Sequence, residues 1–303
     1  MSNSAEPMGL KVAIVDMGSN SFRLLMGEYT NGAWHNEPKI LWRTRLGARD
    51  SAGLITDSSW QLGMDALREI RQKIEAYGAT VVLGLATSAI REAGNGNDFM
   101  EAAQSVCPME GRILSGEEEA LYGFQGAAGE YLADGRHYAI IDIGGGSTEL
   151  ALGDKDSVYW SRSYPIGAVR LQERSDEDPQ AVWEETTPWF QELPIAGPFG
   201  EFIAIGGTAT TLASIDLKME TYDASRIQNH KLTREAVEVM IMDMRQMTLE
   251  ERRQVRGLEP NRADIIVAGA EILTSIMDYY QIPYVVVSER DGMEGMEATL
   301  TLS

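Results

Sequence analysis

Apolar and polar positions change rhythm several times along the chain. Leu10–Val15 is a short apolar run ending in Asp-x-Gly, the pattern of a buried strand closing on a tight turn. Ser21–Tyr29 reads as a second strand, paired with the first through the "GSNS" turn. From Thr56 to Tyr77 the period becomes helical, with Leu67, Ile70, Ile74 and Tyr77 on one face. "TVVLGLAT" is then a buried strand, and "SAIREA" opens a helix with Ser88 as its cap. "GRIL" is a short strand leading into a helix, "SGEEEALYGFQGAAGEYL".

The second half repeats this plan. "HYAIIDIGGGSTELALGD" gives two strands around a glycine turn, and "DSVYWSRSYPIGAVRLQE" a third strand and a turn. A helix is expected near Pro179–Glu192, and "EFIAIGGTATTLASI" reads as strand, glycine turn and helix start. Helices follow near Thr233–Met247 and Arg262–Tyr280, and "PYVVVSERDGMEGM" ends the pattern as a strand and a glycine turn. Strands alternating with helices in both halves imply α/β layers. The "ADGR" interruption within Tyr131–Arg136 places the boundary, giving domains 1–131 and 132–303.

Two stretches are alike. "AIVDMGSNSFRLLMG" begins at Ala13 and "AIIDIGGGSTELALG" at Ala139, and aligned without gaps they share seven of 15 residues. Hairpins often use Asp and Gly simply to turn. A run of four glycines or serines between apolar strands does more, because it brings backbone N–H groups close to a ligand with no Cβ in the way, which suits phosphate oxygens. Asp16 and Asp142 would end equivalent strands and face each other across a cleft. Two carboxylates beside phosphate cradles need a divalent cation between them, and magnesium fits, being held by one or two carboxylates with phosphate oxygens and water. The chain leaves each turn as a strand, so this is not a dinucleotide fingerprint, and no Gly-Lys-Ser/Thr marks a Walker loop.

Composition narrows the chemistry. The 303 residues suit two domains, and the net charge of −20 argues against nucleic acid, anionic membrane or a broad groove for a long polyanion. An anionic substrate would need glycine amides, a few arginines and a cation. Cys107 is the only cysteine, which excludes an intrachain disulfide and a Cys-based zinc site, and His35, His137 and His230 are scattered. "MSNSAEPMGL" has neither the charged nor the apolar region of a signal peptide, and no apolar run reaches about 18 residues, so the cytoplasm is the expected location.

The duplicated Asp-x-Gly hairpin resembles the actin, sugar-kinase and heat-shock ATPase superfamily. Eight blocks narrow it: "VDMGSNSFRLL", "ATSAIREA", "ILSGEEEA", "IDIGGGSTEL", "PIGAVRL", "AIGGTATTLA", "RADIIVAGAEIL" and "SERDGMEGM", in that order between residues 12 and 296. Together they resemble the exopolyphosphatase / guanosine pentaphosphate phosphohydrolase family (Ppx/GppA). The resemblance implies two duplicated actin-like (ribonuclease H-like) α/β domains with an interdomain cleft, the last helix packing back on the first domain. It implies magnesium-dependent hydrolysis of a terminal phosphoanhydride on inorganic polyphosphate or pppGpp.

Carried onto this chain, the resemblance makes Glu119 the catalytic base and Asp142 and Glu149 the metal region, with Asp16 joining them through the duplication. The backbones of Gly144, Gly145, Gly146, Ser147, Thr148, Gly206, Gly207 and Thr208 would line the phosphates, as would Ser19, Asn20 and Ser21. Ser115 and Glu118 form a Ser-x-x-Glu capping box, and Glu117 complements the helix dipole. Glu119 lies past that box and has no capping task. Thr87, Ser88 and Arg91 combine a helix start with a guanidinium, a natural phosphate site, although Arg91 could also be a solvated surface residue. Arg23 points into the cleft or away from it. Arg262 matches a position near the nucleotide or phosphate end, with Asp264 as an alternative capping partner. Asp291 and Glu294 read as turn residues, and Tyr222 and His230 as packing.

Two departures matter. The chain stops at Ser303, soon after the last block, as in a short two-domain form without the further C-terminal helical domain of many relatives. With the acidic surface, that favours short chains or a nucleotide end as substrate. "LGARDSAGLI" also departs from the family's glycine-richer loop. An alarmone- or nucleotide-binding sensor with little turnover is the alternative to the enzyme, and a kinase of the wider superfamily is third. Homodimers fit the family, but no stretch of the sequence carries an interface signature.

Overall fold

A computed structural model describes residues 9–129, 131, 135–154, 157–174, 193–194 and 199–301. The helix expected near Pro179–Glu192 lies outside them. The chain forms two compact units, Met1–Ser115 and Gly116–Ser303.

In the first unit, β1 (Leu10–Met17), β2 (Ser21–Thr30), β3 (Ala33–Asn36), β4 (Ile40–Arg43), β5 (Val81–Ala86) and β6 (Glu110–Ile113) form one sheet. Its order is β3-β2-β1-β5-β6, with β4 also paired to β2. β1 runs antiparallel to β2 and parallel to β5. Val12–Met17 is buried throughout, because helices cover the sheet and leave no solvated alternation. Helix α1 (Asp57–Tyr77) starts at Thr56, whose hydroxyl accepts from the Ser59 amide, and stops at Gly78 with φ 76°. Its Met64, Leu67, Ile70 and Ile74 enter a core with Phe22 and Phe99. α2 (Ser88–Arg91) is one turn long and follows Thr87, not Ser88, as its first flanking residue. α3 (Gly96–Val106) leads into β6.

The second unit contains α4 (Gly116–Ala128), β7 (His137–Ile143), β8 (Thr148–Gly153), β9 (Val158–Tyr164), α5 (Ala168–Arg174), β10 (Phe199–Ile205) and α6 (Gly206–Asp216). It continues with α7 (Ala224–Ile227), β11 (His230–Thr233), α8 (Arg234–Arg245), α9 (Leu249–Arg252), α10 (Ile266–Tyr279), β12 (Tyr284–Val287) and α11 (Gly292–Thr299). The sheet order is β11-β12-β10-β7-β8-β9. Three antiparallel strands, β9-β8-β7, continue into parallel β10 and β12, as β3-β2-β1 continue into β5 and β6. The sequence duplication is therefore a duplication of the sheet.

Helix α4 explains why the units divide at Ser115/Gly116, ahead of the expected Tyr131–Arg136. Its Ala120, Phe124, Ala127 and Ala128 pack with Tyr138, Ile140, Ala151, Ile203 and Ile205 of the second sheet. Its other neighbour is α11. A Cβ on Gly126 would strike the Asp291 carbonyl, and one on Gly295 would strike the Tyr122 carbonyl, so glycines set this close helix pair. "RDGMEGM" is thus the start of a helix, not a glycine turn. Asp291 accepts from the Met293 amide, and Glu294 accepts from the Asp291 amide, a reciprocal capping box.

Candidate active site

The two hairpin turns are built alike. Gly18 N–H donates to the Ser21 carbonyl (3.2 Å), and Gly144 N–H donates to the Ser147 carbonyl (3.0 Å). Ser19, Asn20, Ser21 and Ser147 are buried. In the first unit the Ser19 and Ser88 hydroxyls lie 3.1 Å apart, which joins the turn to α2. Arg91, at the end of α2, donates to the Leu114 carbonyl (2.6 Å). The sequence-derived group Ser19, Asn20, Ser21, Thr87, Ser88 and Arg91 is thereby gathered at one end of the first sheet.

In the second unit the "PIGAVRL" segment backs the glycine turn. Ala168 N–H donates to Gly144 O and Val169 N–H to Gly145 O, each at 2.9 Å, and a Cβ on Gly167 would collide with the Gly145 backbone. Thr148 Oγ donates to the Ile166 carbonyl (2.6 Å), and Thr208 Oγ to the Ile143 carbonyl (3.1 Å). Gly206 adopts φ 78°, and a Cβ there would strike the Asp142 carboxylate. At Gly207 the obstacle would be the guanidinium of Arg262, which also donates to Glu259 (3.2 Å). Asp142, Gly206, Gly207, Thr208 and Arg262 therefore surround one glycine-lined corner.

The hairpins differ at one register position. Asp16 pairs across β1 and β2 with Arg23, whose guanidinium donates to Asp16 Oδ2 from Nε (2.9 Å) and Nη2 (2.6 Å). Asp142 pairs across β7 and β8 with Glu149. Glu149 is 4% exposed and accepts from the Ser163 hydroxyl (2.7 Å). Burial pushes its carboxyl well above the usual range, the charges of Glu119 and Asp142 push it further, and the Ser163 and Ser147 hydroxyls oppose this. Glu119 sits in the first turn of α4 with Glu117 and Glu118. That turn is held against β9, since a Cβ on Gly116 would collide with Ser163.

These acids fit a hard cation by donor chemistry, two carboxylates from one hairpin with a third acid near. Among the described residues, no three Asp, Glu, His or Cys side chains form a ready-made metal cage. Sequence reasoning missed Ser163, which carries no motif signal. Tyr222 and His230, read as packing, make polar contacts: the Tyr222 hydroxyl donates to Glu289, and His230 pairs with Asp216 at 2.8 Å.

Comparison with known proteins agrees with this architecture. The model of the Ppx/GppA phosphatase family matches residues 40–302. The chain belongs to that family. Exopolyphosphatase 2 of Mycobacterium tuberculosis is 30% identical over 96% of this chain and 98% of its own length. The guanosine-5'-triphosphate,3'-diphosphate pyrophosphatase of Vibrio atlanticus is 27% identical over 94% of this chain, which spans 58% of that protein. Among solved structures, an exopolyphosphatase-like protein superposes with a TM-score of 0.85 at 27% identity, covering 96% of this chain and 97% of that one. The Aquifex aeolicus PPX-GPPA enzyme gives 0.78 at 26% identity, covering 96% and 99%. The α/β fold of two related sheets expected from the duplicated hairpin is thus the Ppx/GppA fold. Among the described residues, no helix is long and apolar enough to cross a membrane.

Proposed function

We propose that this Ppx/GppA protein is a phosphohydrolase that releases terminal phosphate from inorganic polyphosphate or pppGpp, using magnesium or another divalent cation. The observation that carries the reading is the cross-strand pair Asp142–Glu149 beside a glycine turn, with Glu119 close enough to perturb Glu149. The names of the relatives supply the substrate classes: exopolyphosphatase in one, guanosine-5'-triphosphate,3'-diphosphate pyrophosphatase in the other. The net charge of −20 favours short polyphosphate or a nucleotide end over long polymer.

Asp142 and Glu149 would hold the cation. When bound, it would neutralise phosphate charge and favour departure of the leaving oxygen. The chain's own residues do the rest. Gly144 N–H is committed to Ser147 O, so the amides of Gly145, Gly146 and Ser147 are assigned to the phosphate oxygens. Arg262 adds positive charge behind Gly207. Glu119 accepts a proton from water as the water oxygen bonds to the terminal phosphorus. The anhydride P–O bond breaks in line, and the shortened chain leaves with the bridging oxygen and its electron pair. In the first unit, Ser19, Asn20, Ser21, Thr87, Ser88, Arg23 and Arg91 are assigned to phosphate binding. Arg23 also neutralises Asp16, so the cation is assigned to the second hairpin.

The test is phosphate release with magnesium from short polyphosphate, long polyphosphate and pppGpp, wild type beside Glu119→Gln. The expected result is turnover by wild type and a loss of at least about 100-fold in the variant, the scale of a missing general base. If wild type binds one of these ligands yet turns over none, the protein is an alarmone- or nucleotide-binding sensor and the role of Glu119 is wrong.

A further inference from the structure

Arg45 has φ 49°, in the left-handed region that residues with a Cβ seldom adopt. Among the described residues, the other non-glycine positions there have ordinary reasons. Lys218, Asn229 and Gln281 follow the ends of α6, α7 and α10, and Asn31 turns the β2–β3 hairpin beside Gly32. Arg45 neither ends a helix nor turns a hairpin. It follows β4 and immediately precedes Leu46, where the segment that departs from the family's glycine-richer loop begins.

The surroundings hold this bend firmly. The amides of Thr44 (3.2 Å) and Arg45 (2.9 Å) both donate to the Asn20 carbonyl, and the Gly47 amide donates to the Ser19 carbonyl (2.8 Å). The Arg45 carbonyl accepts from Ser59 Oγ (2.9 Å) and from the Ala48 amide (3.0 Å). Thr44 and Leu46 on either side are fully buried, whereas Arg45 is exposed. The bend therefore buries both neighbours, presents the arginine at the surface, and fixes it on the segment that clamps the Ser19–Asn20 turn. Glycine or asparagine would make the same bend without strain. Strain retained at such a place points to use of the side chain.

We infer that Arg45 is a substrate-recognition residue, a guanidinium that binds phosphate oxygens of the polyanion at the Ser19–Ser21 turn and takes no part in the chemistry. This rests on the proposed function. It also answers a need set by composition: a protein of net charge −20 must place its cations locally to hold an anionic substrate.

The experiment measures KM and kcat of the full chain for tripolyphosphate and for pppGpp with magnesium, at low and high salt, together with the thermal midpoint. Wild type is compared with Arg45→Gly, Arg45→Asn and Arg45→Lys. The expected result for Arg45→Gly is a midpoint no lower than wild type, a KM raised at least about tenfold for both substrates, a nearly unchanged kcat, and a shallower dependence of KM on salt. Arg45→Lys should fall in between, since it keeps the charge but not the fork. Arg45→Asn, which tolerates the bend, carries the test if the glycine variant folds poorly. Active wild type with KM unchanged in the glycine or asparagine variant overturns the role of Arg45 alone. So does a KM rise as large in Arg45→Lys as in Arg45→Asn. Wild type that releases no phosphate from either substrate overturns the proposed function itself.

Discussion

The two hairpins share a turn and differ in the residue opposite the aspartate. Asp16 faces Arg23, and the pair is a two-point ion pair. Asp142 faces Glu149, and the pair is two acids with a third, Glu119, near enough to be felt. The same backbone thus carries a self-neutralised pair in one copy and an acidic pair in the other. The two copies share the same turn, and one cross-strand difference, Arg23 against Glu149, distinguishes them electrostatically. Folding alone would favour the first arrangement twice, because like charges opposite each other on a sheet are destabilising. Under the proposed function, the acidic copy is the one assigned to the cation, whose charge would offset the two carboxylates.

The strongest way to break the comparison is to copy the first pair into the second hairpin. Glu149→Arg should leave a folded protein by circular dichroism and lower phosphate release at least about 100-fold, because it removes an acid from the proposed cation site. Removing the partner in the other copy should act on stability and on phosphate affinity, not on the cation. Arg23→Gln leaves Asp16, which is 8% exposed, without its guanidinium and should cost about 1–3 kcal/mol by denaturant unfolding, with magnesium dependence nearly unchanged.

The pH dependence sharpens the same contrast. Glu149 holds its proton more tightly in the folded protein than in the unfolded chain, whose carboxyl titrates near 4.5. Its stabilising contribution is complete below that pH and is lost as the pH rises through the higher folded value. In chelator, wild type should therefore lose stability relative to Glu149→Gln as the pH rises above about 4.5. Thermal unfolding across pH measures this, and magnesium should restore wild type more than the variant. The smallest effect belongs to Ser163→Ala. It removes a hydroxyl that helps the Glu149 carboxylate and should cost about 1 kcal/mol at neutral pH while raising the Glu149 pKa further.

Much of this was legible because the sheet strands are buried runs bounded by turn signals. Asp16/Asp142 and Gly18/Gly144 fix both turns from spelling alone. β3 and β4 escaped notice because they are four residues long and mostly half-exposed or exposed, with no alternation to read. In "SERDGMEGM" the glycines suggested a turn, while the spacing Asp291-x-x-Glu294 was the capping signal of α11. Those glycines serve the close approach of α4, a tertiary fact that no local pattern contains. The candidate acids were legible as residue types, and the alignment sets Arg23 against Glu149, but that these residues face Asp16 and Asp142 across the strands appears only once the strands are paired. Ser163 and Arg45 were invisible for the same reason. One meets Glu149 from the neighbouring strand, and the other stands out only by its backbone angle.

The most direct test of the account is calorimetric titration of magnesium into the full chain with tripolyphosphate present, comparing Asp142→Asn with Asp16→Asn, each in the Glu119→Gln background to prevent turnover. The account predicts that Asp142→Asn weakens magnesium binding at least about tenfold while Asp16→Asn leaves it nearly unchanged. Equal losses in both, or a loss confined to Asp16→Asn, would contradict it.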